Sequence, residues 1–453
     1  MSDVIAAIAT GKQPCAIGIL RLSGEGCAEV AGKVFSLHSG TPLAQAPDRQ
    51  LCLGRLRDVR GRIIDEGLAV CCHAPHSYTG EDTVELQLHG SPAVLSAGLE
   101  ALLQARARQA LPGEFTQRAF LNGKMDLTGA EAVIDLIEAQ TADMAANAAA
   151  QVGGALHRTL APIYDGLTDI CSHYHAVLDY PDEDIPAFRL EDFDRMLRLW
   201  REELRALEAT CQRGRYLKQG VRIALVGKPN AGKSSLLNAL VGFDRAIVTE
   251  IPGTTRDTVE ETARFGRVLV RITDTAGIRG TEDRIEALGV ERSKSAAGEA
   301  DLAVFVCDAA SPLDAEDREA IRAARSAPRS VAVLNKSDLP QRVFRVELPF
   351  ETVFSLSASR GTGLQPLVDW VEKTFAADIP CDGSILTNVR QGEAVRRAGE
   401  ALDAALEAMR AGITPDAVLT ELEAAMEALG ELTGRTVRED ITQRIFERFC
   451  VGK

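Results

Sequence analysis

The sequence predicts a multidomain chain of mixed α+β and α/β class, in which a helical part is split around an inserted parallel-sheet domain. Three observations carry this expectation. The 453 residues exceed what one hydrophobic core supports. Between Val221 and Ala376 strands alternate with helical stretches, whereas short β-rich runs separated by turns fill the region before Gly90. Helical periodicity lies on both sides of the alternating region, from Leu127 to about Gln219 and again after Pro380. The expected domains are 1–118, α+β; 119–216 with 380–453, a discontinuous helical domain; and 217–379, the insert.

In chain order, the N-terminal strands are expected in AIGILRLSG, LCLGRLRD, GLAVCCHAP and TVELQLHG, each bounded by Gly, Pro or Ser. The helical part opens at Leu127 with an expected capping box, Thr128 as cap and Glu131 reaching back. Apolar residues then recur at helical spacing in AEAVIDLIEA and FDRMLRLWREELRALEA, and after the insert in AVRRAGEALDAALEAMRAG and AVLTELEAAMEALGELTG.

An apolar fraction of 45% and a charged fraction of 26% suit an ordinary soluble protein. The N-terminus lacks the basic start and apolar run of a secretion signal, and no stretch reaches the roughly 18 apolar residues of a membrane span. A cytoplasmic protein without membrane contact is expected. Ten cysteines form no Cys-x-x-Cys pair and read as free, buried thiols. His173 and His175 would face different sides of a helix, so no metal cluster is expected there. The net charge of −14 excludes nucleic-acid binding through a globally basic surface, leaving a local patch or a partner to supply positive charge.

The insert carries the legible chemistry. VRIALV reads as a buried strand, followed by GKPNAGKS (Gly227 to Ser234) and the helical SLLNALVG, the strand, loop and helix that a P-loop needs. Its glycines let backbone N–H groups curl around the β-phosphate, Lys233 reaches the β- and γ-oxygens, and the Ser234 hydroxyl binds Mg²⁺. LVRITDTAG places Asp274 at a strand end, where it can hold the water shell of Mg²⁺, and Gly277 offers an amide to the γ-phosphate. Thr255, in IPGTTRD, would complete the Mg²⁺ coordination when GTP is present. In NKSD the Asp338 carboxylate can accept from N1 and N2 of guanine, and Ser357, Ala358 and Ser359 add donors for O6, so GTP is expected rather than ATP. These elements in this order identify a Ras-like P-loop G domain. Where many such domains carry a water-orienting glutamine, this chain has Ile278; Arg256 and Arg279 are nearby candidates for charge stabilisation.

Outside the insert, SYTGEDTVELQLHG, PGEFTQRAFLNGKMDLTGAEAVIDLI, the acidic YPDEDI and the terminal FCVGK resemble the MnmE (TrmE) family of tRNA-modifying GTPases, and the resemblance runs through the whole chain. Two departures stand out: Cys15 in a segment usually richer in glycine, and HGSP in place of HGGP. The resemblance implies GTP contacts at Asn230, Ala231, Gly232, Lys233, Ser234 and Ser235, along the switch segment Thr249, Glu250, Ile251, Pro252, Gly253, Thr254 and Thr255, at Asp274, Thr275, Ala276 and Gly277, and at Asn335, Lys336, Ser337, Asp338, Ser357, Ala358 and Ser359. It implies K⁺ held by the Asn230 side chain and by backbone oxygens of Thr249, Ile251 and Thr254, with Glu286 orienting the water beside the catalytic Lys233 and Asn230. It further implies a tetrahydrofolate derivative bound in the N-terminal, dimer-forming domain by Arg21, Glu85, Lys124 and Lys453.

The family acts as a homodimer, activated by GTP-dependent pairing of G domains. With the flavoprotein GidA (MnmG) it forms a heterotetramer that modifies C5 of the wobble uridine of certain tRNAs. Cys450 could offer a thiol at the folate or simply pack. A ribosome-assembly GTPase resembling Era or Der would instead need a basic RNA-binding domain or a second P-loop, and the sequence has neither. A dimer module with a static nucleotide would not need the full set of Mg²⁺ and switch residues.

Overall fold

A computed structural model of the chain describes residues 3–11, 13–179, 190–243, 260–274, 296–376, 380, 382–435, 445–447 and 449–452. The chain forms two compact units, one of residues 1–134, 149–201 and 397–453, the other of 135–148 and 202–396.

The first unit holds a seven-stranded sheet: β1 (Ile5–Ile8), β2 (Cys15–Ser23), β3 (Phe35–Leu37), β4 (Cys52–Arg57), β5 (Ile63–Cys72), β6 (Thr83–Gly90) and β7 (Arg108–Gln109), in the order β3-β4-β5-β6-β2-β1-β7. β2, β4, β5 and β6 coincide with the β-rich runs of the sequence. β1, β3 and β7 were not foreseen, being short and weakly patterned. Alternation along β2 turns Leu20 and Leu22 inward, and helix Pro92–Gln104 covers them. The fit is close at Gly98, where a Cβ would meet Leu20 at 2.6 Å and Leu56 at 2.9 Å.

In the same unit helix Ala155–Asp179 packs against helix Pro415–Thr433. At Gly166 a Cβ would stand 2.4 Å from the Trp200 ring of helix Leu190–Glu208, so the large side chain has selected the smallest residue opposite it. Helix Leu127–Ile137 corrects the expected cap. Asp126 Oδ1 accepts from the Gly129 N–H and from the Thr128 hydroxyl, both at 2.8 Å, so Asp126 caps and Thr128 supports it from within the helix. Asp126 stands just before the first helical residue, where its side chain reaches the Gly129 N–H, whereas Thr128 already lies inside the helix.

The second unit is built on six strands: β8 (Val221–Val226), β9 (Glu260–Phe265), β10 (Val268–Asp274), β11 (Leu302–Asp308), β12 (Ser330–Asn335) and β13 (Val353–Ser355), in the order β13-β12-β11-β8-β10-β9. All neighbours run parallel except β9, which pairs antiparallel with β10. This is the Ras-like arrangement. The period of two along β8 sends Val221, Ile223 and Leu225 to one face, against Leu236 and Leu240 of helix Lys233–Phe243, and Ala224 and Val226 to the other, against Ile321 and Ala324. Both faces are covered, which is why the strand reads as an unbroken apolar run.

Nine cysteines among the described residues are free thiols; Cys27, Cys71, Cys171 and Cys307 are buried as expected, but Cys15 and Cys450 are exposed. Among the described residues no helix is long and apolar enough to cross a membrane.

Candidate functional site

The C-terminal ends of β8 and β12 carry the phosphate and base motifs. After β8 the chain must turn sharply into helix Lys233–Phe243, and it does so through two left-handed residues, Asn230 at φ 62° and Gly232 at φ 94°. Asn tolerates that conformation better than most residues with a side chain, and Gly has no Cβ to clash. A Cβ on Gly232 would meet Asn335 Nδ2 at 2.2 Å, and one on Gly227 would meet the Val306 carbonyl oxygen at 2.2 Å. The loop therefore lies tight against its supporting strands. Lys233 is 5% exposed, and its Nζ donates to the carbonyls of Gly227 at 2.7 Å and Lys228 at 2.9 Å.

Asn335, at the end of β12, joins the base loops to this cradle. Its Nδ2 donates to the Ala231 carbonyl at 2.9 Å while its Oδ1 accepts from the Ala358 N–H at 3.0 Å. The backbone N–H of Ser337 donates to Leu356 O at 3.1 Å, tying the NKSD turn to the Ser357–Ser359 loop. Lys336 sits at φ 60° with Nζ 2.7 Å from Asp308 Oδ2. Burial of Asp308 opposes its ionisation, but the Lys336 hydrogen bond and the Ala310 N–H hold its carboxyl below the usual range.

Asp338 is held ionised chiefly by the Ser357 hydroxyl and also by Arg360, whose Nε stands 3.1 Å from Oδ2. An ionised carboxylate at this position is the acceptor that paired guanine N–H groups require. Asp274 ends β10, in register with Leu225 of β8, so the backbone brings it to the same end of the sheet as Ser234. Ser234 and Asp274 are hydroxyl and carboxylate residues, the oxygen donor types that Mg²⁺ takes. The switch residues Thr249 to Thr255, the residues Thr275 to Gly277, and Arg256, Ile278, Arg279 and Glu286 lie outside the described residues.

Sequence reasoning missed one feature beside the cradle. Lys228 Nζ donates to Asp317 Oδ2 at 2.7 Å and Asp314 Oδ2 at 2.8 Å, partners 89 and 86 residues away. Only folding reveals that pairing. The hydrogen bond from Lys228, with that from the Asp317 N–H, pulls the Asp314 carboxyl down to about 2.

In the N-terminal sheet the register of β2 on β6 sets Arg21 opposite Glu85, and Arg21 Nε stands 2.8 Å from Glu85 Oε1. The Arg21 guanidinium also lies over the rings of Tyr78, at 5.6 Å, and Phe115, at 5.8 Å. Lys124 Nζ donates to the Pro75 carbonyl at 3.0 Å, so the 73–80 loop touches both cations. Lys453 is outside the described residues. Behind this pair lies an ionic network that the sequence reading did not foresee. Buried Arg118 contacts Glu81 at 2.9 Å, Asp3 at 2.9 Å and Glu114 at 3.0 Å, and Arg108 holds Glu114 from the other side at 2.6 Å. Ser23 adds a hydrogen bond to Glu81 at 2.9 Å.

The family described as the GTP-binding protein TrmE N-terminus matches residues 4–124, and the one described as the MnmE helical domain matches residues 127–450. The tRNA modification GTPase MnmE of Roseiflexus sp. (strain RS-1) is 42% identical over 468 residues, covering 100% of this chain and 99% of the relative. The protein of the same name from Aquifex aeolicus (strain VF5) is 41% identical over 454 residues, covering 100% of both. Among solved structures, the G domain of the T. maritima FeoB iron transporter is 25% identical, with a TM-score of 0.26, over 34% of this chain and 98% of that one.

Proposed function

Because this chain belongs to the MnmE family of tRNA modification GTPases, and is thus a GTP hydrolase of tRNA modification, we propose that it works as a K⁺-dependent, dimerising GTPase that modifies C5 of the wobble uridine with a flavoprotein partner of the GidA (MnmG) type. The observation that carries the GTPase part of this reading is the double hydrogen bond of Asn335, which links the P-loop to the base-reading loop at one sheet end. Residues 1–118 serve as the folate and dimerisation domain, 217–379 as the G domain, and 119–216 with 380–453 as the helical domain.

Ser234 and Thr255 hold Mg²⁺, with Asp274 acting through water. Lys233 and the P-loop amides from Asn230 to Ser235 bind the phosphates; Asn335 to Asp338 and Ser357 to Ser359 bind guanine. The residue after the DTAG motif is Ile278, which has no polar group for water, so Glu286 orients the nucleophile. Asn230, with carbonyls of Thr249, Ile251 and Thr254, holds K⁺, which supplies the positive charge that an arginine finger supplies elsewhere, worth about 10³- to 10⁵-fold. The exposure of Asn230 at a left-handed turn of the loop supports this assignment.

In the N-terminal domain Arg21, Glu85, Lys124 and Lys453 hold a tetrahydrofolate derivative that carries the one-carbon unit. The exposed part of Glu85 suits the paired N–H donors of a pterin edge, and the cations suit a glutamate tail. No flavin motif is visible in the sequence, and the partner supplies the redox step. The decisive experiment is mass spectrometry of wobble uridines in tRNA from a deletion strain, complemented with this chain with and without the flavoprotein. Modified uridine restored only when both are present is the expected result; restoration without the flavoprotein refutes the division of labour. Replacing K⁺ by Na⁺ at matched ionic strength should slow hydrolysis at least about 10-fold, roughly 1.4 kcal/mol of barrier. Equal rates in the two salts would shift the missing charge to Arg256 or Arg279.

A further inference from the structure

We propose that Lys228 is a positioning residue for nucleotide binding, whose ion pair with Asp314 and Asp317 fixes the entrance of the P-loop and, through its own carbonyl, the seat of Lys233. The inference rests on the reading of Gly227 to Ser234 as the phosphate cradle. It goes beyond that reading by assigning work to a residue that touches no phosphate.

The anchor is rigid before Lys228 reaches it. Asp314 and Asp317 form a reciprocal cap on helix Ala315–Ala324: Asp314 Oδ1 accepts from the Asp317 N–H at 3.0 Å, and Asp317 Oδ2 accepts from the Asp314 N–H at 3.1 Å. Both carboxylates are therefore held in one rotamer by backbone. Asp317 is 1% exposed. A carboxylate so deeply buried needs a cation, and Lys228, at 2.7 Å, supplies it. Both partners push the lysine further towards its charged form, although burial of the amine opposes them.

This geometry removes Lys228 from the list of phosphate-binding cations. Its ammonium is committed to two carboxylates, at 2.7 and 2.8 Å, and its charge is more than neutralised by them. What reaches the nucleotide site is its backbone. The Lys228 carbonyl accepts from Lys233 Nζ at 2.9 Å, beside the Gly227 carbonyl at 2.7 Å. Side chain and carbonyl leave the same residue, so pinning the first restricts rotation of the second. Gly227 is held from behind by the Val306 carbonyl, against which even a methyl would not fit. With the ion pair gone, the peptide between residues 227 and 228 regains freedom, and both acceptors that set the Lys233 amine drift. Cradle N–H groups and lysine then have to be ordered by the nucleotide itself, which lowers affinity more than it lowers turnover at saturation.

The test uses the full chain, a fluorescent GDP titration and steady-state GTP hydrolysis. Lys228→Met is expected to weaken GDP binding and raise KM about 10-fold, while kcat changes less than about 2-fold. Lys228→Arg keeps the cation and should stay within about 3-fold of the unmodified chain. Lys228→Met leaves the buried Asp317 charge unpaired and can lower stability, so the double variant Lys228→Met with Asp317→Asn separates the two effects. It removes the orphan charge and keeps an acceptor for the Asp314 N–H. Recovered thermal stability with binding still weak supports positioning. Binding that recovers together with stability overturns it, as does wild-type affinity in Lys228→Met. Lys233→Ala, run in parallel, tests the cradle reading: undiminished nucleotide affinity there sinks that reading and this inference with it, whereas lost affinity there alongside normal binding in Lys228→Met sinks the inference alone.

Discussion

The P-loop end of the six-stranded sheet and the Arg21–Glu85 region of the N-terminal sheet are built by opposite means. The first uses backbone: two left-handed residues and a close approach to neighbouring strands shape a loop whose donors are amides. The second uses side chains brought together by strand register, with Arg21 and Glu85 separated by 64 residues in sequence and paired across β2 and β6. A backbone cradle tolerates little change in size at its glycines, because a Cβ on Gly227 or Gly232 is a collision. A side-chain site tolerates changes of size but not of charge, because its members balance one another.

The largest effect should come from the ionic network behind the N-terminal site. Arg118→Met leaves Glu81 and Glu114 without a cation they now share, which should cost about 3 kcal/mol of stability, read as faster hydrogen exchange of the N-terminal sheet amides with little change in those of the G-domain sheet. The same network sets an acid limit. Asp3 is held by Arg108, against partial burial, at about 2 rather than its ordinary 3.8. Burial opposes ionisation of Glu114, yet its bonds from Arg108, Leu111 and Arg118 keep its carboxyl low as well. Because both folded-state values lie below the unfolded ones, their stabilisation is complete above the ordinary carboxylate range. It is lost as the pH falls towards about 2. Acid unfolding that leaves the N-terminal sheet amides protected longer than those of the parallel sheet would contradict this.

Next in size is the cradle. Gly232→Ala forces a Cβ within 2.2 Å of Asn335 Nδ2 at a φ of 94°, and nucleotide affinity should fall at least about 100-fold, or about 2.7 kcal/mol. Stability of the N-terminal sheet should not change. Affinity within a factor of three of the unmodified chain would mean that the loop is looser than its packing implies. The smallest effect is expected at the side-chain site, where Glu85→Ala should weaken binding of a reduced folate about 10-fold in a calorimetric titration of the full chain, with GTP turnover unaltered. No folate heat in the unmodified chain would remove folate from the proposal.

The same contrast explains what could be read from the residues. GKPNAGKS, NKSD and the alternation around them are contiguous runs of residues, so each motif survives as a string. The Lys228 pair with Asp314 and Asp317, and the Arg118 network, connect residues far apart, and no local pattern marks them. Strand β1, IAAI, is too short and too rich in alanine to announce itself. Helix Ala155–Asp179 carries Pro162 and Gly166, two residues that break the helical signal; packing against Trp200 explains the glycine. At the start of helix Leu127–Ile137 the capping pattern points to Thr128, and the hydrogen bonds place the cap at Asp126 instead.

The pair of hydrogen bonds made by the Asn335 side chain has a kinetic consequence. One amide closes on Ala231 of the phosphate loop and on Ala358 of the base loop, so neither loop can open without releasing a partner of the other. Nucleotide departure should then be all-or-none: a molecule that lets go of guanine also loosens its grip on the phosphates, and no long-lived intermediate hangs on by its tail. Exchange would follow a single exponential, and its rate would be set by the life of two hydrogen bonds shared by one side chain. For a GTP hydrolase that must reset once per cycle, this would tie emptying of the pocket to a single event.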